Sequence, residues 1–203
     1  MNYRAVGQRC AVDIDSLDLE ITSDEAVLIL LNNGFKIVHV DIVELARECI
    51  GASKYRRGAR PDEAPEVFDC SSFIKWLYGQ CGIWLPRRSI QQMSLGEKIE
   101  MDSICAGDVV FVSGVIDYYH DEPTKGVGHV GIASSSNTVI HAANGKIGVA
   151  EIPLDKFIGE DKFRGIRRYV PDNRRILTFK TPADRHVEIE DDFRWIILQS
   201  LPK

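Results

Sequence analysis

Phe68-Asp69-Cys70-Ser71-Ser72-Phe73 opens a run in which Cys70, Phe73, Ile74, Leu77 and Cys81 recur on one helical face, and Gly82 supplies a C-terminal cap. An apolar helix face has to be buried against something. The residues that follow offer Asp108-Val109-Val110-Phe111-Val112, His129-Val130-Gly131-Ile132-Ala133, Thr138-Val139-Ile140-His141-Ala142, Gly148-Val149-Ala150-Glu151-Ile152 and Arg164-Gly165-Ile166-Arg167-Arg168-Tyr169. Short strands joined by turn-rich links, with helices concentrated ahead of them, predict an α+β domain in which helices pack on an antiparallel sheet. The same opening stretch puts a thiol in the first turn of the helix. Backbone N–H groups point their positive ends there, and this is expected to lower the cysteine pKa.

Upstream, the first fifty residues read as helical. Thr22-Ser23-Asp24-Glu25 carries capping chemistry ahead of Ala26-Val27-Leu28-Ile29-Leu30-Leu31, with Gly34 as the stop. Asp41 caps a second helix whose apolar positions Ile42, Leu45, Ala46 and Cys49 follow the i, i+3, i+4, i+7 pattern, which makes Cys49 a small core residue. Residues 53–66, rich in Arg, Gly, Pro and Glu, read as a solvated loop. Downstream of Pro171, Ile176-Leu177-Thr178-Phe179 and Phe193-Arg194-Trp195-Ile196-Ile197-Leu198 read as further strands, or as a strand and a short helix. The expected organisation is therefore an N-terminal helical extension over 1–41, a catalytic domain over 42–170, and a short, β-rich C-terminal extension over 171–203 packed on the core.

A chain of 203 residues holds one ordinary domain with appendages. Its 25 basic and 30 acidic residues give a net charge of −5, which argues against a general nucleic-acid or anionic-membrane binder. No run approaches the roughly 18 apolar residues of a membrane span. Met1 to Gln8 lacks a signal-peptide pattern, so the chain as written is expected to be cytoplasmic, with extracellular or periplasmic action if it is trimmed or exported by another route. The five cysteines are odd in number and never fall into Cys-x-x-Cys pairs, so neither a disulfide framework nor a zinc ribbon is encoded, and a mixed Cys/His metal site stands as a rival.

Thiol catalysis needs a thiolate, a base within hydrogen-bond reach, and a third polar group that orients the base. Cys70, His129 and His141 supply these residue types. A lone cysteine is more often a small buried hydrophobe, and His141 alone reads equally well as a satisfied core histidine. The signal is the combination of a cysteine opening a helix and two histidines on consecutive strands. If Ser134-Ser135-Ser136 is the hairpin loop, Ala133 pairs with Asn137 and His129 faces His141 directly. Any odd-length loop puts both rings on one face of the sheet, whereas an even one separates them unless a bulge intervenes.

The ordered set Tyr55…Gly58, Phe68-Asp69-Cys70-Ser71-Ser72-Phe73, Leu85-Pro86-Arg87-Arg88-Ser89-Ile90-Gln91-Gln92, Gly107-Asp108-Val109-Val110-Phe111, His129-Val130-Gly131-Ile132 and Ile140-His141-Ala142 resembles the NlpC-type family of papain-like cysteine peptidases that act on cell walls. The resemblance implies a papain-like core with Cys70 as nucleophile, His129 as general base and acid, and His141 as the residue orienting His129. It further implies a substrate groove drawing on Tyr55, Asp69, Ser71, Ser72 and Arg87. Asp69 equally suits a local role, capping the helix or tying down its neighbouring loop. The implied reaction is hydrolysis of a γ-D-glutamyl-diamino acid bond in a peptidoglycan stem peptide or related small peptide, with no cofactor and no metal. A thiol acyltransferase or amidase on another substrate, and a non-catalytic papain-like binding module, are the alternatives. The chain departs from the family pattern at Tyr55-Arg56-Arg57-Gly58-Ala59 and at Ser72, and its 113–128 segment, with His120, is longer than usual and suits a lid, a specificity loop or a surface excursion.

Overall fold

The computed structural model describes residues 3–201. In chain order its elements are β1 (Arg9–Asp13), α1 (Ser23–Asn32), β2 (Lys36–Val38), α2 (Ile42–Glu48), β3 (Lys54–Tyr55), β4 (Val67–Phe68), α3 (Cys70–Gln80), α4 (Ser89–Met93), β5 (Glu97–Ile99) and β6 (Val109–Val112). They continue with β7 (His129–Ala133), β8 (Thr138–Asn144), β9 (Gly148–Pro153), α5 (Leu154–Ile158), β10 (Phe163–Arg168), β11 (Ile176–Lys180) and α6 (Asp191–Ser200). The chain divides into two units. One comprises Met1–Val40, Tyr78–Trp84 and Val170–Lys203, the other Asp41–Leu77 and Leu85–Tyr169. No helix among the described residues is long and apolar enough to cross a membrane.

The first unit is built on a three-stranded antiparallel sheet in the order β1-β11-β2. Thr22 caps α1 through a capping box with Glu25, satisfying amides that have no partner within the helix. Gly34, at φ 86°, ends that helix, with the Phe35 amide reaching back to the Leu30 carbonyl. Phe35, Phe179 and Phe193 pack with centroids 5.5 to 6.3 Å apart, in a core shared with Val12, Leu30 and Ile197.

Reading the first fifty residues as helical captures α1 and α2 but misses β1 and β2. Residues 9–13 are too few for a clear period, and they become a strand by pairing with β11, Arg9 opposite Lys180. Of the two readings of the tail, a strand and a short helix is the one present, since Phe193–Leu198 lies in α6. Its buried positions Phe193 and Ile197 are spaced i, i+4, and two acidic residues occupy its first turn.

The second unit carries a six-stranded sheet ordered β5-β10-β6-β7-β8-β9, antiparallel at every pairing. All five strands expected there are present. The sixth, β5, is a three-residue segment that exists through its pairing with β10 and has no apolar alternation to announce it. Both faces of the sheet are buried. Val110, Val112, Ala133, Val139 and Ile166 join Leu154 and Phe157 on one side, while Val109, Phe111, Val130, Ile132, Ile140 and Ala142 are fully buried on the other. This explains why these strands read as continuous apolar runs.

The helix expected from the opening stretch is α3, with Phe73, Ile74 and Leu77 at zero exposure. Phe68 stacks on Phe73 and Trp76, at 5.2 and 5.4 Å. Asp41 caps α2 by accepting from the amides of Val43 and Glu44, and Cys49 is buried as expected. None of the five cysteines is in a disulfide.

Asp108, 1% exposed, accepts two 2.8 Å hydrogen bonds from Arg168 and one from the Cys105 amide, fastening the start of β6 to the end of β10. Asp108→Ala would take the carboxylate from a largely shielded guanidinium and release the Cys105 amide. We expect a loss of about 3 kcal/mol in unfolding free energy, read by urea denaturation.

Candidate active site

Asp69 is the N-cap of α3. Its Oδ1 accepts from the Ser72 amide at 2.9 Å, while the Ser72 hydroxyl accepts from the Asp69 amide at 2.8 Å. This is a reciprocal capping pair with serine in the third helical position. The other side of the carboxylate accepts from the Gly58 amide at 3.0 Å, and Arg87 forms a bidentate ion pair across both oxygens. Arg87 also donates to the Ser71 hydroxyl and to the Ala59 carbonyl. Burial pushes the Asp69 carboxyl up, but the Arg87 and Ser72 hydrogen bonds outweigh it and hold the group below the usual carboxylate range. Asp69 thus both caps the helix and ties down the loop after β3.

Cys70 is the first residue of α3, half-buried, with Sγ 3.9 Å from the Gly128 carbonyl oxygen and facing the amides of Ser71 and Val130. The thiol therefore lies against the backbone on both sides of His129. Burial, followed by the Asp69 charge, pushes its pKa up to about 11, and the two amides and Arg87 offset this only in part. The expected lowering by the helix start is thus overturned, because desolvation of a thiolate costs more than the first-turn amides return.

β7 and β8 pair Ile132 with Ile140 and Ala133 with Val139. The hairpin loop is therefore five residues long, not three. Its closure is polar: the Ser134 amide donates to the Thr138 carbonyl, and the Ser134 and Ser135 hydroxyls both meet the Thr138 hydroxyl. His129 consequently lies diagonal to His141 instead of directly opposite. The odd length is preserved, so both rings share one face, with His129 Nε2 2.7 Å from His141 Nδ1.

The diagonal leaves Gly131 beside His141. A Cβ at 131 would lie 3.1 Å from His141 Cβ and 2.5 Å from Val139 Cγ1. Phe157 of α5 covers both imidazoles, 5.5 Å from His129 and 5.1 Å from His141. Burial holds both ring pKa values down, from 6.5 to about 4, helped at His129 by the charges of His141 and Lys162.

Cys70, His129, His141, Tyr55, Asp69, Ser71 and Arg87 line one cleft of about 840 Å³. Tyr55 is half-buried, and its hydroxyl pKa is raised by burial and by the neighbouring Cys70 and Asp69. Ser72 is buried in the cap and does not line the cleft. His120 is exposed and does not line the cleft, whereas Ser113, Gly114, Val115, Ile116 and Tyr118 of the same long segment form part of the wall.

Sequence reading missed Phe157 and Gln92. Phe157 sits in a five-residue helix whose apolar spacing, Leu154, Phe157 and Ile158, is too short to stand out. Gln92 is fully buried on α4 and donates to the Ser71 and Pro86 carbonyls, supporting the first turn of α3. Its position three residues after Ser89 in a helix-length polar run was the available signal.

The histidine pair links stability to pH. Between pH 6.5 and about 4 the unfolded chain binds protons that the folded rings exclude, so stability is full above pH 6.5 and falls as the pH drops through this window. Urea unfolding across the window is expected to show this slope, and His141→Gln to make it shallower. Gly131→Ala is expected to cost about 1 to 3 kcal/mol through overpacking and to displace His141, seen as an altered imidazole NMR signal.

A family model described as the NlpC/P60 family matches residues 52–168. A probable endopeptidase of Corynebacterium glutamicum is 39% identical over 115 residues, covering 56% of this chain and 47% of that protein. A γ-D-glutamyl-L-lysine dipeptidyl-peptidase of Bacillus cereus is 31% identical over 104 residues, covering 51% of this chain and 29% of that protein. The crystal structure of an NlpC/P60 family protein from Bacillus cereus aligns with a TM-score of 0.54 at 27% identity, covering 64% of this chain and 40% of that one. The chain thus spans less than half the length of these curated relatives. With more than half of its residues under the family model, and a papain-like helix and antiparallel sheet to match, the chain belongs to the NlpC/P60 family.

Proposed function

We propose that the chain is a cysteine peptidase that hydrolyses the amide bond between γ-linked D-glutamate and a diamino acid in peptidoglycan stem peptides. The observation that carries this reading is the convergence of Cys70, His129 and His141 in one cleft, with the two rings 2.7 Å apart. The similarity to a probable endopeptidase and to a γ-D-glutamyl-L-lysine dipeptidyl-peptidase supports this choice of bond.

In this reading His141 takes Nε2 of His129, leaving Nδ1 of His129 to exchange protons with the thiol. A His129 tautomer protonated on Nε2 donates to His141 Nδ1 and has a free lone pair at Nδ1. With the thiol pushed up to about 11 and the rings down to about 4, the resting pair is neutral. The proton therefore moves from Sγ to Nδ1 as Sγ attacks the carbonyl carbon. The carbonyl oxygen takes up the negative charge facing backbone N–H groups at the start of α3, which have no acceptor within the helix. Collapse breaks the C–N bond, the imidazolium protonates the leaving amine, and a thioester remains. His129 then deprotonates water, whose attack releases the acid and the thiol.

Cys70→Ala is expected to abolish cleavage of a γ-D-glutamyl-diamino acid peptide while leaving the circular dichroism spectrum unchanged. Full activity in that variant would sink the proposal. The profile of kcat/KM against pH is expected to rise on an acid limb well below pH 6.5, because His129 must be neutral to accept the proton. Phe157→Ala, which wets both rings, should move that limb toward 6.5; an unmoved limb would separate Phe157 from the chemistry.

A further inference from the structure

The three-stranded sheet β1-β11-β2 carries three cations in one cross-strand row. Arg9 pairs directly with Lys180, and Lys180 directly with Lys36. Directly opposed residues of antiparallel strands project from one face of the sheet. The adjacent row, Cys10, Phe179 and Ile37, packs in the phenylalanine core, so the cations project from the other face. Strands lie about 4.8 Å apart, which places the three Cα atoms within about 10 Å.

Like charges directly opposite one another destabilise a sheet. None of the three cations forms an ion pair among the described residues, in a chain whose net charge is −5. Asp13, the carboxylate on the same face of β1, lies at the far end of the strand and pairs with Arg174. The repulsion in the row is therefore left for something outside the chain to offset.

The row borders a concavity. Arg9 and Lys180 line a pocket of about 340 Å³ together with Gly7, Gln8 and Gln80, and no carboxylate is among its lining residues. Gln80 orients Arg9, because its carbonyl oxygen and its Oε1 both accept from Nη1, at 2.8 and 2.9 Å. The Nε and Nη2 edge of the guanidinium forms no hydrogen bond among the described residues. That edge is the planar fork that meets two oxygens of a phosphate. Val6 and Arg9 exchange backbone hydrogen bonds across a tight turn with Gly7 at φ 59°, and the amides of Gly7 and Gln8 at its tip have no acceptor among the described residues. Unpaired turn amides add fixed positive charge to a concave site.

We propose that this pocket and the cation row beside it bind a diphosphate group, either free or carried by a nucleoside. One phosphate meets the fork of Arg9 and the Lys180 ammonium, and the second extends along the row toward Lys36. A single tetrahedral anion cannot engage all three cations equally, so two linked phosphates are favoured over one. None of these residues lines the Cys70 cleft, and the site stands apart from the peptidase reading.

Calorimetry of the full-length protein at low salt, with pyrophosphate, orthophosphate and adenosine diphosphate as probes, tests this. Pyrophosphate is expected to bind about tenfold or more tighter than orthophosphate, with the Gly7 and Gln8 amide NMR signals shifting in step. Tighter binding of adenosine diphosphate than of pyrophosphate would assign the source to a nucleotide, and equal or weaker binding to the free anion. The double variant Lys36→Gln, Lys180→Gln is expected to lose about tenfold or more in pyrophosphate affinity. Because it also relieves the repulsion, it is expected to melt no lower than the parent protein when no ligand is present, which separates lost binding from lost fold. Equal affinity for the two phosphates, binding that leaves the Gly7 and Gln8 amides unmoved, affinity unchanged in the double variant, a lowered melting temperature in that variant, or no binding at all overturns the proposal.

Discussion

The buried carboxylate of Asp69 accepts hydrogen bonds from three parts of the chain at once: the first turn of α3, the loop at Gly58, and Arg87. Without partners, a carboxylate this far from water would protonate or drag solvent in, so its ionised state and the geometry around it are mutually dependent. The consequence is local rigidity where it matters. The thiol follows Asp69 directly, and the Gly58 amide and Arg87 position two walls of the cleft beside it. Gln92 adds a neutral counterpart by holding the Ser71 carbonyl from the α4 side.

Proton chemistry in the cleft is governed by dehydration more than by helix polarity. Cys70 occupies a position where first-turn amides favour a thiolate, yet its resting form is the thiol, and the two imidazoles are neutral for the same reason. Thiol and imidazoles are thus all uncharged at rest. Phe157 enforces that condition on the histidines by excluding water from both rings.

Much of this was legible in the residues. The period of α3, the caps at Thr22, Asp41 and Gly34, the five core strands and the shared face of His129 and His141 all follow from local patterns. What local pattern could not supply came from distant pairing or from competing terms. Strand β1 exists because β11 lies opposite it, Arg9 facing Lys180 from 171 residues away, and β5 exists because of β10. The hairpin closed two residues wider than the serine run suggested, because Thr138 turns inward to meet Ser134 and Ser135. The thiol's direction of shift was misread because position on a helix is visible in sequence and depth is not.

The pairing of β1 with β11 also sets an order of events during synthesis. Arg9 meets Lys180, so the three-stranded sheet cannot close until nearly the whole chain has left the ribosome, and residues 78–84, at the far end of the helix that begins with Cys70, belong to that late unit. The strands β6 to β9, by contrast, pair with their neighbours in sequence and can assemble as they emerge. The nascent protein therefore holds its two histidine strands together well before the sheet that joins β1 to β11 can form.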